Sequence, residues 1–362
     1  MRITSRTAAL TGAALVSIAL LAGCAAAPAK SGSSAAAKPK YLPCIVSDAG
    51  GFNDHSFNQL GLQGTEEAAK KIGVTAKQVQ SASASDSVYE ANISNLEKQG
   101  CNIIVASGFN LVTAVKKEAT ASTKTTFAMI DDNSISLPNV KPVVFETDEA
   151  AFLGGYAAAA YSKTGVVATY GGANYPSVSI YMDGIADGIN YYNQQKNAHV
   201  KLLGYNVNPA KSTYVGGFTD QNKSKAIATN FLGQKADVII PVAGSLYQGA
   251  GAAIQAAGGN AVLEGVDADV YLTDPTYKGL MLTSILKNIQ PSVAAVVEQA
   301  ASGTTFDNSQ YVGTLKNDGV GLAPFHDFAS KIPSTLTAEL ATIKAGIISG
   351  SIKVTSSSSF NK

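Results

Sequence analysis

Leu42-Pro43-Cys44-Ile45-Val46-Ser47-Asp48-Ala49-Gly50-Gly51-Phe52-Asn53-Asp54-His55-Ser56-Phe57-Asn58 is the stretch from which the fold is read. Its apolar start predicts a short strand, and residues 56–72 carry a helical pattern. Between them lies a polar, glycine-containing turn. Strand, turn and helix make half of a βαβ unit, and the same rhythm continues outward. Strands are expected at 74–79, 103–106 and 126–130, with helices at 88–99 and 112–122. After Asp148 it restarts, with helices at 150–162, 178–193, 223–232 and 250–257. The strands of that second set fall at 166–170, 201–205, 238–242 and 262–266. Alternation at this pitch argues for an α/β protein with parallel sheets. Two similar halves in tandem suggest two lobes with a cleft between them.

On the other side of the opening stretch, the chain begins with a basic and then apolar leader. Arg2 and Arg6 precede a run of small and aliphatic residues from Ala8 to Ala22. That run is shorter than the roughly 20 residues a spanning helix needs. Ala22 and Gly23 suit a peptidase that cuts after small residues, and Cys24 comes directly after them, an arrangement that resembles the bacterial lipobox. Residues 1–23 are expected to be a lipoprotein signal peptide and Cys24 the lipidated first residue; the alternative is an ordinary signal peptide that contains a cysteine. Residues 24–40 hold only small residues, proline and lysine, and read as a flexible tether. The expectation is a body held by lipid on the extracytoplasmic face of the cell membrane.

The whole chain has 27 Lys and Arg against 26 Asp and Glu. Loss of the leader removes two arginines and leaves a net charge of −1, which offers no footing for a nucleic-acid partner. About 320 residues lie beyond the tether, enough for two domains. Cys44 opens the first strand and Cys101 precedes another. In a doubly wound sheet these strands are neighbours with both thiols near their N-terminal ends. A Cys44–Cys101 disulfide is therefore expected in an oxidising compartment, with two buried free thiols as the alternative.

Ligands of open parallel sheets bind beyond the carboxyl ends of the strands. In the first half the strands run into Asp48-Ala49-Gly50-Gly51, Ser107-Gly108-Phe109-Asn110 and Asp131-Asp132-Asn133. Those of the second half run into Gly171-Gly172, Gly217-Phe218-Thr219-Asp220, Ala243-Gly244-Ser245 and Asp267-Ala268-Asp269. Any one such residue is an ordinary cap or turn former. Their recurrence at one end of both sheets marks a site.

The stretch from Ser47 to Asn58 closely resembles the signature of the basic membrane protein family, lipoproteins that bind nucleosides for ABC transporters. Three further stretches are similar to the same family: Ala151-Phe152-Leu153-Gly154-Gly155-Tyr156, Asp237 to Gly244, and Gly265-Val266-Asp267-Ala268-Asp269 with Leu282 to Asn288 after it. The resemblance implies the type I periplasmic-binding-protein fold, two Rossmann-like lobes joined by three hinge strands. It divides the chain into an N-terminal lobe of 41–147 plus about 283–322 and a C-terminal lobe of 148–282 plus about 323–362. It further implies a monomer that delivers nucleosides, purines preferred, to permease subunits, with no cofactor and no metal.

A purine nucleoside offers a π-face, a mixed donor and acceptor edge, and vicinal ribose hydroxyls. Phe57 can present its ring to the base, although a core position would suit it equally. Asn58 carries both a donor and an acceptor. Asp48 and Asp131 can accept from base N–H groups. By resemblance, Asp267 and Lys287 reach the ribose. Gly108 and Gly244 lie at strand ends within the same site. Phe218 is the candidate for a second stacking wall, with Tyr247 or Tyr181 as alternatives. Asp54 reads as the N-cap of the first helix. Ser245-Leu246-Tyr247 and an extended 206–215 segment depart from the family's usual pattern.

The histidines at 55, 199 and 326 are scattered, and no nucleophile elbow or complete phosphate loop occurs. The expectation is therefore a binder and not an enzyme. A nucleosidase-like hydrolase using Asp131 and Asp132 is the runner-up. A surface adhesin or signalling lipoprotein without a small ligand is the third alternative.

Overall fold

The computed structural model describes residues 41–122 and 124–361. The leader, Cys24 and the tether lie outside the described residues. In chain order the first half comprises β1 (Pro43–Val46), α1 (Phe57–Ile72), β2 (Lys77–Val79), α2 (Asp86–Lys98) and β3 (Ile103–Ser107), then α3 (Val112–Ala121), β4 (Thr126–Ile130) and β5 (Val140–Phe145). The second contains α4 (Thr147–Tyr161), β6 (Val166–Gly171), α5 (Pro176–Lys196), β7 (Lys201–Leu203) and α6 (Gln221–Gly233). It continues through β8 (Val238–Val242), α7 (Tyr247–Ala256), β9 (Val262–Asp267), α8 (Val270–Thr273) and β10 (Met281–Lys287). The chain then forms α9 (Ile289–Ala301), β11 (Tyr311–Gly313), β12 (Val320–Leu322) and α10 (Leu336–Ser349).

The strands form two six-stranded sheets with one topology. The first runs β2-β1-β3-β4-β5-β11 and the second β7-β6-β8-β9-β10-β12. Every pairing is parallel except β10 with β12. Their central strands are continuously apolar and buried, as expected of a sheet covered on both faces. The α/β reading of the sequence thus holds, and two sheets of equal order align the carboxyl ends that matter for binding.

The chain passes between the sheets three times: after β5, after β10, and between β11 and β12. Backbone bonds tie these crossings together, Glu146 N to Gly313 O at 2.8 Å and Asn288 N to Gly319 O at 2.9 Å. The expected N-terminal-lobe segment of 283–322 needs correction. β10 pairs with β9, and β12 pairs with β10, so both belong to the second sheet. Only α9, which packs on α1, and β11 return to the first. The first lobe's lost strand is β5, which carries a lysine and a proline and has no clean strand pattern. Pro142 fits because β11 pairs only from Val143 onward, leaving Pro142 with one neighbouring strand.

Glycine motifs explain close helix packing. A Cβ on Gly155 of α4 would meet Ile185 O at 2.2 Å, and one on Gly188 of α5 would meet Phe152 O at 2.0 Å. The Ala151–Tyr156 motif is therefore a helix-crossing device between α4 and α5. A disulfide joins Cys44 and Cys101, with Cα atoms 5.9 Å apart. It ties the start of β1 to the residue shortly before β3, at the end of the first sheet opposite the cleft. Among the described residues no helix is long and apolar enough to cross a membrane.

Candidate functional site

A cleft partly open to solvent lies between the carboxyl ends of the two sheets. All nine residues expected at a ligand line it: Asp48, Phe57, Asn58, Gly108, Asp131, Phe218, Gly244, Asp267 and Lys287. The fold brings them together because most sit at or just beyond strand ends that reach the same level, Phe57 and Asn58 begin the helix after β1, and Phe218 comes from the loop that leads into α6.

The floor is charged. Asp131 directly follows β4 and Asp267 ends β9, the corresponding strand of the other sheet, and both have left-handed backbones with φ of 68° and 66°. Aspartate tolerates that conformation better than most residues because its short side chain bonds locally. Between the two carboxylates lies Lys287 at the end of β10. Its Nζ is 3.0 and 2.7 Å from the two oxygens of Asp131 and 3.7 Å from Asp267 Oδ1. Burial pushes the Asp131 carboxyl up, against the pull of the Lys287 ammonium, and Asp267 and Asp132 add repulsion. Ser56 Oγ donates to Asp267 Oδ2 at 2.9 Å, and the Tyr181 hydroxyl donates to Oδ1 at 3.0 Å. These two residues orient Asp267. Nothing in the strand-end pattern singles out Ser56, and the sequence offers Tyr181 only as an alternative stacking ring.

The far wall is built on Asp48. Its Oδ1 accepts from Gly50 N at 2.8 Å and from Asn58 Nδ2 at 2.9 Å. Burial raises the Asp48 carboxyl, while these two bonds and the nearby Asn110 side chain act in the opposite direction. The Asn58 amide is fully engaged: Nδ2 also donates to Asp54 Oδ2 at 3.0 Å, and Oδ1 accepts from Asp48 N at 3.3 Å. The N-cap position falls on Ser56, not on Asp54 as the sequence suggests, but Asp54 does the capping from two residues earlier, accepting from the backbone N–H of Ser56, Asn58 and Gln59. Burial still pushes its carboxyl up to about 6.

Aromatic rings use space vacated by glycines. A Cβ on Gly108, whose φ is 103°, would lie 3.2 Å from the Phe57 ring and 3.9 Å from Asp48 Oδ2. Lys287 Nζ lies 5.2 Å from the centroid of that ring, so Phe57 links the two ends of the cleft. Phe218 fits over Gly172, where a Cβ would come within 2.3 Å of it. Tyr247 does not line the cleft; its hydroxyl donates to Asp274 at 2.8 Å within the second lobe. Phe109, Asn110 and Tyr175 complete the wall, the first two from the end of β3 and Tyr175 without a signal in the sequence. Asp132 is turned away, its Oδ1 accepting from Ser134 N and Oγ at 2.9 and 2.7 Å. The adjacent carboxylates thus diverge, as a hydrolase pair must not.

Fold and cleft together define the class: a two-lobed α/β binding protein with polar strand ends facing each other across a hinge. Residues 43–358 match the Bmp family model, described as ABC transporter substrate-binding protein PnrA-like, and the chain belongs to that family. It is 29% identical over 367 residues, 97% of this chain and 99% of the relative, to the ABC transporter nucleoside-binding protein BmpA of Lactococcus lactis subsp. cremoris. It is also 26% identical over 310 residues to basic membrane protein D of Borreliella burgdorferi, covering 84% of this chain and 85% of that protein. Among solved structures, an ABC transporter solute-binding protein of Aeropyrum pernix superimposes with a TM-score of 0.73 at 25% identity, over 86% of this chain and 92% of that one. The protein is therefore a substrate-binding component of an ABC transporter, not an enzyme, and works on the extracytoplasmic side of the membrane.

Proposed function

We propose that this protein captures nucleosides in the interlobe cleft, purine nucleosides ahead of pyrimidine ones, and delivers them to the permease subunits of an ABC transporter. The observation that carries this reading is the Asp131–Lys287–Asp267 cluster at one end of Phe57, with Asp48 at the other. Vicinal hydroxyls donate to carboxylates and accept from an ammonium, which is the alternation the cluster offers. The Phe57 ring supplies an apolar face for a base, and Asp48 an acceptor for its N–H groups. The nucleoside-binding name of the Lactococcus relative supports the same class.

Two roles change from those expected of the sequence. Asp131 is gripped by Lys287, so we assign it to the ribose end instead of the base. Asn58 spends its amide on Asp48 and Asp54, so we assign it to holding Asp48 in place. Gly108 makes room for Phe57, Gly244 lines the second-lobe wall, and Phe218 is kept as the second-lobe ring facing the base. The protein is further proposed to act as a monomer anchored through lipid on Cys24, with residues 24–40 as its tether.

Calorimetry against nucleosides, free bases, nucleotides and pentoses tests this reading. Purine nucleosides should bind and free pentoses should not. A response confined to pentoses would overturn it, as would the absence of any response.

A further inference from the structure

Three half-buried residues at the mouth of the cleft are spent on each other across the gap between the lobes. Phe109 comes after Gly108 at the end of β3, and Tyr175 precedes Pro176, the first residue of α5. Their rings stack with centroids 4.6 Å apart and planes 29° from parallel. The Tyr175 hydroxyl donates to Asn110 Oδ1 at 2.8 Å. Asn110 and Asp48 line the same wall, and the Asn110 side chain helps to hold the Asp48 carboxyl down. Behind Tyr175, Phe218 lies 6.2 Å away between centroids. Both partners are fixed locally. A residue before proline is held in extended backbone, as Tyr175 is at φ −114° and ψ 151°. Phe109 starts from the positive φ of Gly108, a backbone that only glycine adopts readily.

We infer that Tyr175 is the latch of the cleft: it joins the second lobe to the first through Phe109 and Asn110, and slows the escape of bound ligand without being the group that recognises it. Asn110 makes the latch responsive. It links Tyr175 to Asp48, so a ligand that engages Asp48 fixes Asn110 and with it the acceptor that Tyr175 needs. Closure is thereby coupled to occupancy through one side-chain amide. This inference rests on the nucleoside reading for its ligand but not for its geometry.

Stopped-flow binding of inosine to the full chain separates the latch from recognition. Tyr175→Phe keeps the stacked ring and removes one neutral hydrogen bond. It should speed inosine release about 3- to 10-fold while leaving the association rate within about twofold. The effect should vanish in an Asn110→Ala background, a non-additivity that a merely structural tyrosine would not show. Thermal unfolding of the ligand-free chain should shift in Tyr175→Phe by no more than the loss of one neutral hydrogen bond produces. Release at the parent rate from Tyr175→Phe would overturn the latch, and so would full additivity with Asn110→Ala. If the parent binds no inosine, the nucleoside reading fails on its own, and small-angle scattering still decides the latch. Ligand-free Tyr175→Ala should have a larger radius of gyration than the parent, and equal radii would refute the interlobe role.

Discussion

Lys287 Nζ lies 2.7 Å from Asp131 Oδ2, and this contact joins the end of a strand in the second sheet to the end of a strand in the first. Both side chains are nearly inaccessible, at 3% and 8% exposure. The pair therefore serves two ends at once. It closes the floor of the cleft, and it places a charged donor and acceptor where a ligand's hydroxyls would arrive.

Removing Lys287 should be costly. Lys287→Met would leave Asp131 and Asp267 buried without their cation, and breaking a buried pair from one side destabilises by about 3–5 kcal/mol. Urea unfolding should show that loss. Adding Asp131→Asn to Lys287→Met removes one uncompensated charge and should recover part of it. Equal stability of the single and double variants would refute an interlobe ion pair.

The ribose assignment is tested by Asp267→Ala. Hydrogen bonds to charged groups contribute about 1.5–3 kcal/mol, so adenosine affinity should fall about 10- to 100-fold. Adenine, which lacks the sugar, should bind the variant and the parent alike. An Asp267→Ala protein that loses adenine as severely as adenosine would place Asp267 at the base.

Much of this site was legible before any coordinates, for a simple reason. Ligand-facing residues of a parallel sheet sit immediately after strands, and apolar strands such as 103–107 and 126–130 announce themselves. Lys287 came only from a resemblance, because β10 has no helix between it and β9 of the length that marked the other crossings. β5 was hidden by Lys141 and Pro142. Ser56 and Tyr175 were illegible as contacts because they act across the cleft, and Tyr181 because it reaches Asp267 from another element of its own lobe; sequence patterns report neighbours along one element. Asn58 was legible as a site residue but not in its role: its amide faces two local carboxylates, which spacing alone does not reveal.

Asp54 gives the fold a pH dependence that one substitution can isolate. Its carboxyl titrates near 6 in the folded chain against 3.8 as its ordinary value, so burial disfavours its charged form. Below about 3.8 the group is protonated in both folded and unfolded chains and contributes its full relative stability. As pH rises through about 6, that contribution is lost, up to about 3 kcal/mol. The stability of the parent minus that of Asp54→Asn should therefore fall between pH 4 and pH 6 and stay level above, roughly tracking the two titrations. A difference independent of pH would show that Asp54 is not held in this way.

Glu264 on β9 is fully buried, with no hydrogen-bond partner for either carboxyl oxygen. Burial pushes its carboxyl well above the usual range. An unpartnered polar group in a core costs about 1–3 kcal/mol, and methionine has similar length and no such group. Glu264→Met should raise the unfolding midpoint at neutral pH, and the gain should shrink in acid, where the parent carboxyl is neutral in both states. A midpoint lowered by Glu264→Met at pH 7 would mean that the carboxyl has a use in the folded chain.

Nucleotides should be rejected. Four carboxylates line the cleft, Asp48, Asp54, Asp131 and Asp267, against the single ammonium of Lys287 among its lining residues. That ammonium is already shared between two of the carboxylates. A 5′-phosphate would carry about two negative charges into this field, where like charges brought together cost several kcal/mol. No glycine-rich cradle of backbone N–H groups ending in Lys-Ser/Thr offers compensation. Inosine monophosphate should therefore bind at least about 100-fold more weakly than inosine by calorimetry at neutral pH. High salt should narrow the deficit if the phosphate reaches the solvent-exposed mouth. Equal affinity for inosine and its monophosphate would show that the phosphate lies outside the cleft or that the carboxylates do not face the ligand.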